Sequence, residues 1–287
     1  MLNCVFDIFS LALAFSLIGL NVYLSTKILN VVDLTCDASV TMGGCTYGVL
    51  ILGGVNPLIA ILCALVVGIV AGFVTSSLVT HIGIEPVFAS IITLTALQTF
   101  IIKLSSIGKI LLDNLGESKS ALSMLSSVEN SIITIIIVTV ICLIFFRIMN
   151  SEYGLAMRVY GDGKIISESL GINSNQMLWV GLGLGNALSA IAGALIVQIS
   201  GKFCATMGNG SLVFGLAAVI IGDKIISPKT IRGSILGCLA GAFVYKILID
   251  TITWGNSGVL GSEYNSIITA IMLIFLMASI REKDRRG

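Results

Sequence analysis

The sequence predicts an all-α protein that crosses a membrane many times, because of its composition and its nine long apolar segments. The 287 residues are 56% apolar and 11% charged, and their mean hydropathy is +1.05. A soluble globular domain carries about 25% charged residues. Lipid offers the backbone no hydrogen-bond partner, so a spanning helix satisfies its own backbone and needs about 20 mostly apolar residues. We therefore predict that residues 1–287 form a single transmembrane domain, a polytopic helix bundle.

The predicted spans account for most of the chain. The first is expected to stay in the protein, because Asp7 stands where a signal peptide carries basic residues and no small-residue cleavage site follows before Lys27. The second and seventh are short and interrupted by glycine, which leaves open whether either crosses the membrane completely. Nine spans, within a range of eight to ten, are predicted at 5–26, 38–55, 56–78, 86–103, 131–149, 177–199, 210–227, 230–249 and 264–280.

The basic residues predict which side of the membrane each connection faces. The tail from Arg281 to Arg286 carries four of them, and the positive-inside rule places this tail in the cytoplasm. With nine spans, the inner segments then hold eleven lysines and arginines and the outer segments hold five. The two longest polar connections fall on opposite sides, residues 104–130 outside and residues 150–176 inside. We expect the C-terminus to be cytoplasmic.

Several functions are disfavoured by what the sequence lacks. A net charge of +1 provides no basic surface for nucleic acid. The seven cysteines form no CxxC pair and His81 is the only histidine, so no metal site is predicted. The sequence contains no GxSxG, GxGD or HExxH motif of a hydrolase, and no GxxxxGK[ST] loop for ATP. We expect a chain without catalytic residues or a cofactor of its own.

Two short segments share the pattern Thr-Met-Gly, an aromatic-glycine pair and an apolar stretch, and they begin at Thr41 and Thr206. Five predicted crossings separate them, so the two copies would traverse the membrane in opposite directions, as inverted repeats do. Unwound backbone at mid-membrane depth is tolerated only where it is buried in protein or lines a water-filled cavity, because lipid cannot satisfy its polar groups. The alternative is that glycine only lets helices pack closely, as in Gly68xxxGly72. The repeat predicts a translocation path at Thr41, Met42, Gly43, Thr206, Met207 and Gly208.

Three amides lie within predicted spans, Gln98, Asn186 and Gln198. Isolated polar groups at lipid depth usually turn towards a partner or a cavity. On the translocation path they would offer donors and acceptors to a neutral or zwitterionic solute. Alternatively, each would hydrogen-bond to a neighbouring helix, worth roughly 0.6–2 kcal/mol. The sequence leaves both roles open.

The inner connection is polar and punctuated by glycine. We predict a short helix over Leu155–Tyr160, a glycine turn at Gly161–Gly163, and a second short helix over Lys164–Leu170 that ends at Gly171. These elements would project a rigid knob (residues 151–172) into the cytoplasm. An ordinary connecting loop is the alternative on physical grounds alone.

The knob carries a glycine and arginine sequence pattern that resembles the pattern of a known protein family. Gly154-x-Ala156-x-Arg158-x-x-Gly161, followed by Leu170-Gly171-Ile172, is similar to the coupling segment of ABC importer permeases of the branched-chain amino acid and ribose class. The stretches Gly215–Asp223 and Val32–Thr35 look like the subgroup labelled tryptophan or tyrosine transport permeases. Val159 and Ser167 depart from the small alanines that are usual in the coupling segment.

The resemblance covers about residues 10–280 and implies a type II ABC importer fold in a bacterial cytoplasmic membrane. It implies a permease subunit that is surrounded by membrane lipid and pairs with itself, the simpler case, or with a close relative. This subunit would dock two cytoplasmic ATPase subunits, which bind ATP and Mg. A soluble binding protein outside would deliver the solute, in this subgroup an amino acid. Arg158 has an alternative role, since an arginine at a membrane boundary also extends its charge into the headgroups. By resemblance, the ATPase-coupling residues are Gly154, Ala156, Arg158, Gly161, Gly171 and Ile172. A stand-alone secondary transporter or channel for a small polar solute is the competing function.

Overall fold

The structure, a computed structural model, describes residues 2–114, 127–226 and 230–255, and within these ranges it contains helices and no β-strand. The helices over Leu2–Tyr23 and Pro57–Ser77 each continue into a π-helical turn, at Leu24–Ile28 and Leu78–Ile82. The α-helices of these ranges are α1 Leu2–Tyr23, α2 Thr35–Leu52, α3 Pro57–Ser77, α4 Pro86–Asn114, α5 Ser127–Met149, α6 Glu152–Asp162, α7 Lys164–Ser169, α8 Ser174–Ser200, α9 Ser211–Ile226 and α10 Ile231–Gly255.

Six of the helices in the described ranges are long and apolar enough to cross a membrane, namely α1, α3, α4, α5, α8 and α10. They correspond to six of the nine predicted spans. The second and seventh predicted spans form α2 and α9, which have 18 and 16 residues and are not among these six. The ninth predicted span, 264–280, lies outside the described residues. The prediction of an all-α, polytopic membrane helix bundle is confirmed.

The predicted external connection at 104–130 is too long. α4 continues to Asn114 and α5 begins at Ser127. The end of α4 packs against the chain that follows α8, where Gly108 leaves room for the ring of Phe203. Tertiary packing therefore keeps residues 104–114 helical, although their polar composition predicted a connection.

α8 is the central helix of the bundle, and most of its length is buried against α1, α2 and α3. Small residues permit this packing. Gly72 brings α3 against the backbone of α8, and Gly193 brings α8 against the Val40 carbonyl of α2. The same close approach joins α9 to α10, at Gly222 and Gly237. A Cβ added at Gly72, Gly193 or Gly222 would overlap backbone atoms, so these glycines serve close helix packing.

The bundle has two ends, and one of them carries the knob. We call this end the knob face. α1 ends there, because the Ile28 carbonyl that closes its π-helical turn lies against Gly161 of the knob. α9 ends beside it, since the Lys27 ammonium lies 2.9 Å from the Asp223 carboxylate. α3 also ends there beside the start of α8, because the Trp179 indole nitrogen donates to the Thr80 hydroxyl at 2.9 Å. The chain direction of α2, α4, α8 and α10 is therefore towards the opposite face.

α2 and α9 both begin near the middle of the bundle. Ser39, in the first turns of α2, donates to the Asn186 side-chain oxygen at 2.6 Å, and Asn186 lies at the centre of the 27-residue α8. α9 begins at the same depth, since the Gly210 amide donates to Asp37 of α2 at 3.0 Å. From this level α2 runs to the opposite face and α9 runs to the knob face. The two short spans therefore start at mid-depth and point in opposite directions, the geometry of an inverted repeat.

Candidate functional sites

The knob consists of α6 and α7, which meet at Gly163. α6 is longer than predicted, so Gly161 lies in its last turn and the predicted turn over 161–163 is reduced to Gly163. α7 agrees with the predicted second helix to within one residue. Gly171 follows it with φ +77°, a left-handed conformation in which a side chain would be strained. The knob has the predicted two-helix form.

Arg158 joins the knob to the end of α5. Its Nε donates to the Gly154 carbonyl at 3.0 Å, and an Nη donates to the Met149 carbonyl, the last of α5, at 3.1 Å. The last carbonyls of a helix lack intrahelical partners, and a cation there also complements the helix dipole. The guanidinium thus binds backbone carbonyls of its own chain. The two predicted roles had placed it against an ATPase subunit or among lipid headgroups.

Two further contacts attach the knob to the bundle. Gly161 lies so close to the Ile28 carbonyl at the end of α1 that a Cβ would overlap it. The Ser167 hydroxyl lies 2.7 Å from the Ser174 hydroxyl at the start of α8. The knob therefore contacts the knob-face ends of three long helices, and a displacement of the knob acts on all three.

Most of the predicted coupling residues lie inside the knob or at its attachment to the bundle, and few belong to its exposed surface. Gly154 is buried, and Ala156 and Ile172 are partly buried against the main apolar core. Gly171 is exposed but has no side chain to present. Together with Arg158 and Gly161, these residues hold the knob in place and set its shape.

The knob exposes several large apolar side chains in addition to charged ones such as Lys164 and Glu168. Large apolar side chains that are exposed outside the spanning helices mark an interaction surface, because the contact of apolar area with water is unfavourable. Sequence reasoning missed these residues, since isolated apolar residues do not stand out in a chain of this composition. We call the following five residues the docking surface: Tyr153, Leu155, Ile165, Ile166 and Leu170.

A second site, which we call the junction, lies where α2 and α9 begin. The Asp37 carboxylate accepts hydrogen bonds from the amides of Gly210 at 3.0 Å and Leu212 at 2.8 Å. A carboxylate at this position satisfies amides that have no partner within α9 and complements the positive end of its dipole. A side chain of the first repeat thus caps the corresponding helix of the second.

The two Thr-Met-Gly segments meet at the junction. The Thr41 hydroxyl accepts a hydrogen bond from the Gly208 amide at 3.0 Å, and the Met207 thioether lies against Gly44. The second segment forms turns between α8 and α9, where Thr206 is exposed and Gly208 is buried.

The expectation of unwound backbone is wrong for the first segment. Residues 41–43 lie within the continuous helix α2, because Gly43 packs against the backbone of Ala190 in α8. Thr41 is buried and Met42 is partly buried against α4. Glycine here has the close-packing role that was the alternative.

The three predicted amides differ in position. Asn186 is fully buried, and its amide nitrogen donates to Asp33 at 2.7 Å while its oxygen accepts from Ser39 at 2.6 Å. This geometry assigns Asn186 to bonding between α8 and the start of α2. Gln198 is buried in the half of α8 that is nearer the opposite face, and Gln98 is partly exposed on α4.

Other buried polar groups surround Asn186. The Asn21 amide of α1 donates to the Ser189 hydroxyl of α8 at 2.6 Å. The hydroxyls of Thr35 and Thr75 lie 2.9 Å apart and join α2 to α3. Sequence reasoning missed these residues because single serines, threonines and asparagines in apolar helices form no pattern. These bonds give the start of α2 a fixed position.

Exposed polar groups lie beside the junction. α4 packs along α2, where its Leu97 and Ile101 adjoin the cluster that includes Met42. The Thr95 hydroxyl is satisfied within its own helix, because it bonds to the Ile92 carbonyl at 2.8 Å. An exposed amide at lipid depth is costly, so lipid does not cover Gln98 at low cost. We use the name polar strip for the exposed or partly exposed polar side chains of α4 and of the turns before α9, which are Thr95, Gln98 and Thr99 with Thr206 and Asn209.

Replacing Thr41 with valine is expected to lower the free energy of unfolding by about 1 kcal/mol, because the buried Gly208 amide loses its acceptor. Thr41→Ser keeps the hydroxyl and is expected to stay within half of that loss. Unfolding in detergent, followed by circular dichroism, measures both variants. Equal stability of Thr41→Val and the wild type would contradict the hydrogen bond.

The fold and these two sites define a polytopic helical permease. Residues 4–277 match the family described as branched-chain amino acid transport system / permease component, and the chain belongs to that family. It is an integral membrane protein and a permease subunit that translocates small solutes. The predicted resemblance is therefore confirmed.

Individual relatives carry names of transport systems for different solutes. The tyrosine transport system permease protein of Clostridioides difficile (strain R20291) is 28% identical over 96% of this chain and 90% of its own length. The fructose import permease protein FrcC of Rhizobium meliloti is 26% identical over 75% of this chain and 61% of its own. The autoinducer 2 import system permease protein LsrC of Yersinia pseudotuberculosis serotype O:3 (strain YPIII) is 24% identical, over 80% and 66%. No solved structure matches the chain.

Proposed function

We propose that this chain is the membrane-spanning subunit of an ATP-binding-cassette importer and moves an amino acid into the cytoplasm by alternating access. Separate ATPase subunits would bind ATP and Mg, and this chain would take no part in the hydrolysis. The knob is the observation that carries the proposal. It presents the apolar docking surface outside the spanning helices and is attached to the ends of α1, α5 and α8.

The knob face is proposed to be cytoplasmic. The positive-inside rule supports this orientation, because the described residues place more lysines and arginines on the knob face than on the opposite face. The C-terminal tail would lie on the same side, after the predicted span 264–280. The knob face carries Lys27, Arg147, Arg158, Lys164, Lys224 and Arg232, and the opposite face carries Lys103, Lys109, Lys202 and Lys246.

The polar strip supports a dimer of two identical subunits. Groups such as Thr95, Gln98 and Asn209 are partly or fully exposed on one subunit at the depth of the junction. A second copy facing the strip would remove it from lipid and enclose a water-filled path. Of the predicted path residues, Gln98, Thr206 and Met207 lie on or next to this surface. An extracytoplasmic binding protein would deliver the solute at the opposite face.

The contacts of the knob suggest how ATPase motion would reach the path. α8, which the knob contacts, carries Asn186, and Asn186 holds Asp33 at the start of α2. α1, which the knob also contacts, is tied to the end of α9 by the ion pair of Lys27 and Asp223. Closure of two ATPases would therefore move both helices that begin at the junction, one towards each face.

An amino acid is the proposed solute. The relative named for tyrosine transport matches nearly the whole chain. The residues of the polar strip are uncharged and offer both hydrogen-bond donors and acceptors. They could therefore bind the ammonium and the carboxylate of a zwitterion equally.

Uptake by reconstituted vesicles tests the proposal. Vesicles that contain the chain, its cognate ABC ATPase and its binding protein are expected to accumulate radiolabelled tyrosine when ATP is supplied, and radiolabelled fructose serves as the solute control. Omission of the ATPase is expected to stop accumulation. Uphill uptake by vesicles that contain this chain alone would overturn the proposal in favour of a stand-alone secondary transporter.

A further inference from the structure

A groove of about 370 Å³ lies between α1, α5 and α10. Its lining includes Ile235, which is buried, and Leu236, which is more than half exposed, so the groove opens to the outside of the bundle. Among its lining residues only Thr139, Cys142 and Arg232 carry an oxygen, sulfur or nitrogen atom in the side chain. The groove is therefore a hydrocarbon surface that faces the membrane.

One end of the groove carries a cation. Arg232 lies at the start of α10, on the knob face, and its guanidinium carbon lies 4.9 Å from the centre of the Phe146 ring. The side chain is exposed, and neither ion pair found among the described residues includes it. Arg147 follows Phe146 on α5 and is also exposed. Positive charge thus stands where the apolar groove reaches the membrane boundary.

We propose that this groove binds an anionic phospholipid, with an acyl chain along α5 and α10 and the phosphate on Arg232. The charge at one end and the hydrocarbon lining match the two parts of that ligand. Arginine suits this role, because its planar guanidinium donates two parallel hydrogen bonds to phosphate oxygens. Basic pockets between spanning helices bind anionic headgroups in the same way. The site requires neither the solute nor the ATPase, so it stands independently of the proposed transport cycle.

Lipid retention by the purified full chain tests this site. The chain is exchanged into detergent with equal amounts of phosphatidylglycerol and phosphatidylethanolamine, and native mass spectrometry counts the bound lipids. Wild type is expected to retain phosphatidylglycerol preferentially. Arg232→Gln is expected to reduce that retention about fivefold, the effect of one basic residue at a membrane surface, and to leave phosphatidylethanolamine unchanged. Lys164→Gln removes an exposed cation of the knob face away from the groove and is expected to behave as wild type.

A second measurement distinguishes the lipid from a segment of the chain itself. Cys142 lines the groove, and cysteines placed singly along 264–280 report whether the predicted ninth span covers it. We expect no crosslink to Cys142 and expect Leu236→Trp, which fills the groove, to reduce retention of phosphatidylglycerol. Equal retention of both lipids by wild type, unchanged retention by Arg232→Gln, or an efficient crosslink to Cys142 would each overturn the proposal.

Discussion

Replacing Leu155 and Ile165 together with aspartate is expected to abolish ATP-dependent transport while the helix bundle stays folded. Both side chains are more than half exposed on the knob, and Ile165 is 84% exposed. An anchor residue at the centre of a protein interface contributes about 2 kcal/mol or more, so two buried carboxylates are expected to weaken ATPase binding at least about a hundredfold. Copurification of the cognate ABC ATPase and vesicle uptake measure the two effects.

A control variant separates the effect of the added negative charge from the effect of the lost apolar surface. Ser169 is exposed on the same knob, and Ser169→Asp adds a carboxylate without removing apolar surface. This variant is expected to bind the ATPase within about threefold of wild type, since exposed polar changes at the rim of an interface contribute little. Full transport by the double aspartate variant would show that the docking surface is not where the ATPase binds.

Asp37→Ala is expected to be the most disruptive single substitution at the junction. It removes the acceptor of two amides at the start of α9, one of them from the buried Leu212. Loss of a helix cap costs about 0.5–2 kcal/mol, and an unsatisfied buried amide adds about 1–3 kcal/mol. We therefore expect the free energy of unfolding to fall by about 1.5–5 kcal/mol. Transport is expected to be lost, because the start of α9 no longer has a fixed position beside α2.

Asp37→Asn separates hydrogen bonding from charge. The amide keeps an acceptor oxygen but lacks the negative charge at the helix terminus, which contributes about 0.3–1 kcal/mol. This variant is expected to recover most of the stability and part of the transport. Unfolding in detergent and vesicle uptake measure both variants. If Asp37→Ala unfolds and transports as the wild type does, Asp37 is not the cap of α9.

Much of this architecture could be predicted from local sequence properties. Hydropathy placed six spans at helices that the structure contains, because a helix in lipid must be long and apolar wherever it packs. Glycine spacing predicted the knob and its two helices, since a left-handed residue such as Gly171 ends a helix locally. The repeated Thr-Met-Gly pattern predicted that Thr41 and Gly208 belong to one site, and a hydrogen bond joins them in the structure.

The errors at α4 and α2 share one physical cause, which is that the packing partners of these helices are distant in sequence. α4 extends to Asn114 beside Phe203, and α2 stays helical through Gly43 because Ala190 lies against it. Nothing local to Arg158 indicates that it caps α5, and nothing local separates the exposed Ile165 from apolar residues that are buried.

The sequence by itself determined that this protein belongs in a membrane, how its principal spans are ordered, and which family it joins, because composition, apolar length and motif are properties of contiguous residues. Only the tertiary structure decided which polar residues bond inside the bundle and which form the polar strip. It also decided that α2 and α9 begin at one depth, where Asp37 of the first repeat caps α9. These outcomes depend on groups more than a hundred residues apart in the chain, and only the packed helices bring them within hydrogen-bonding distance.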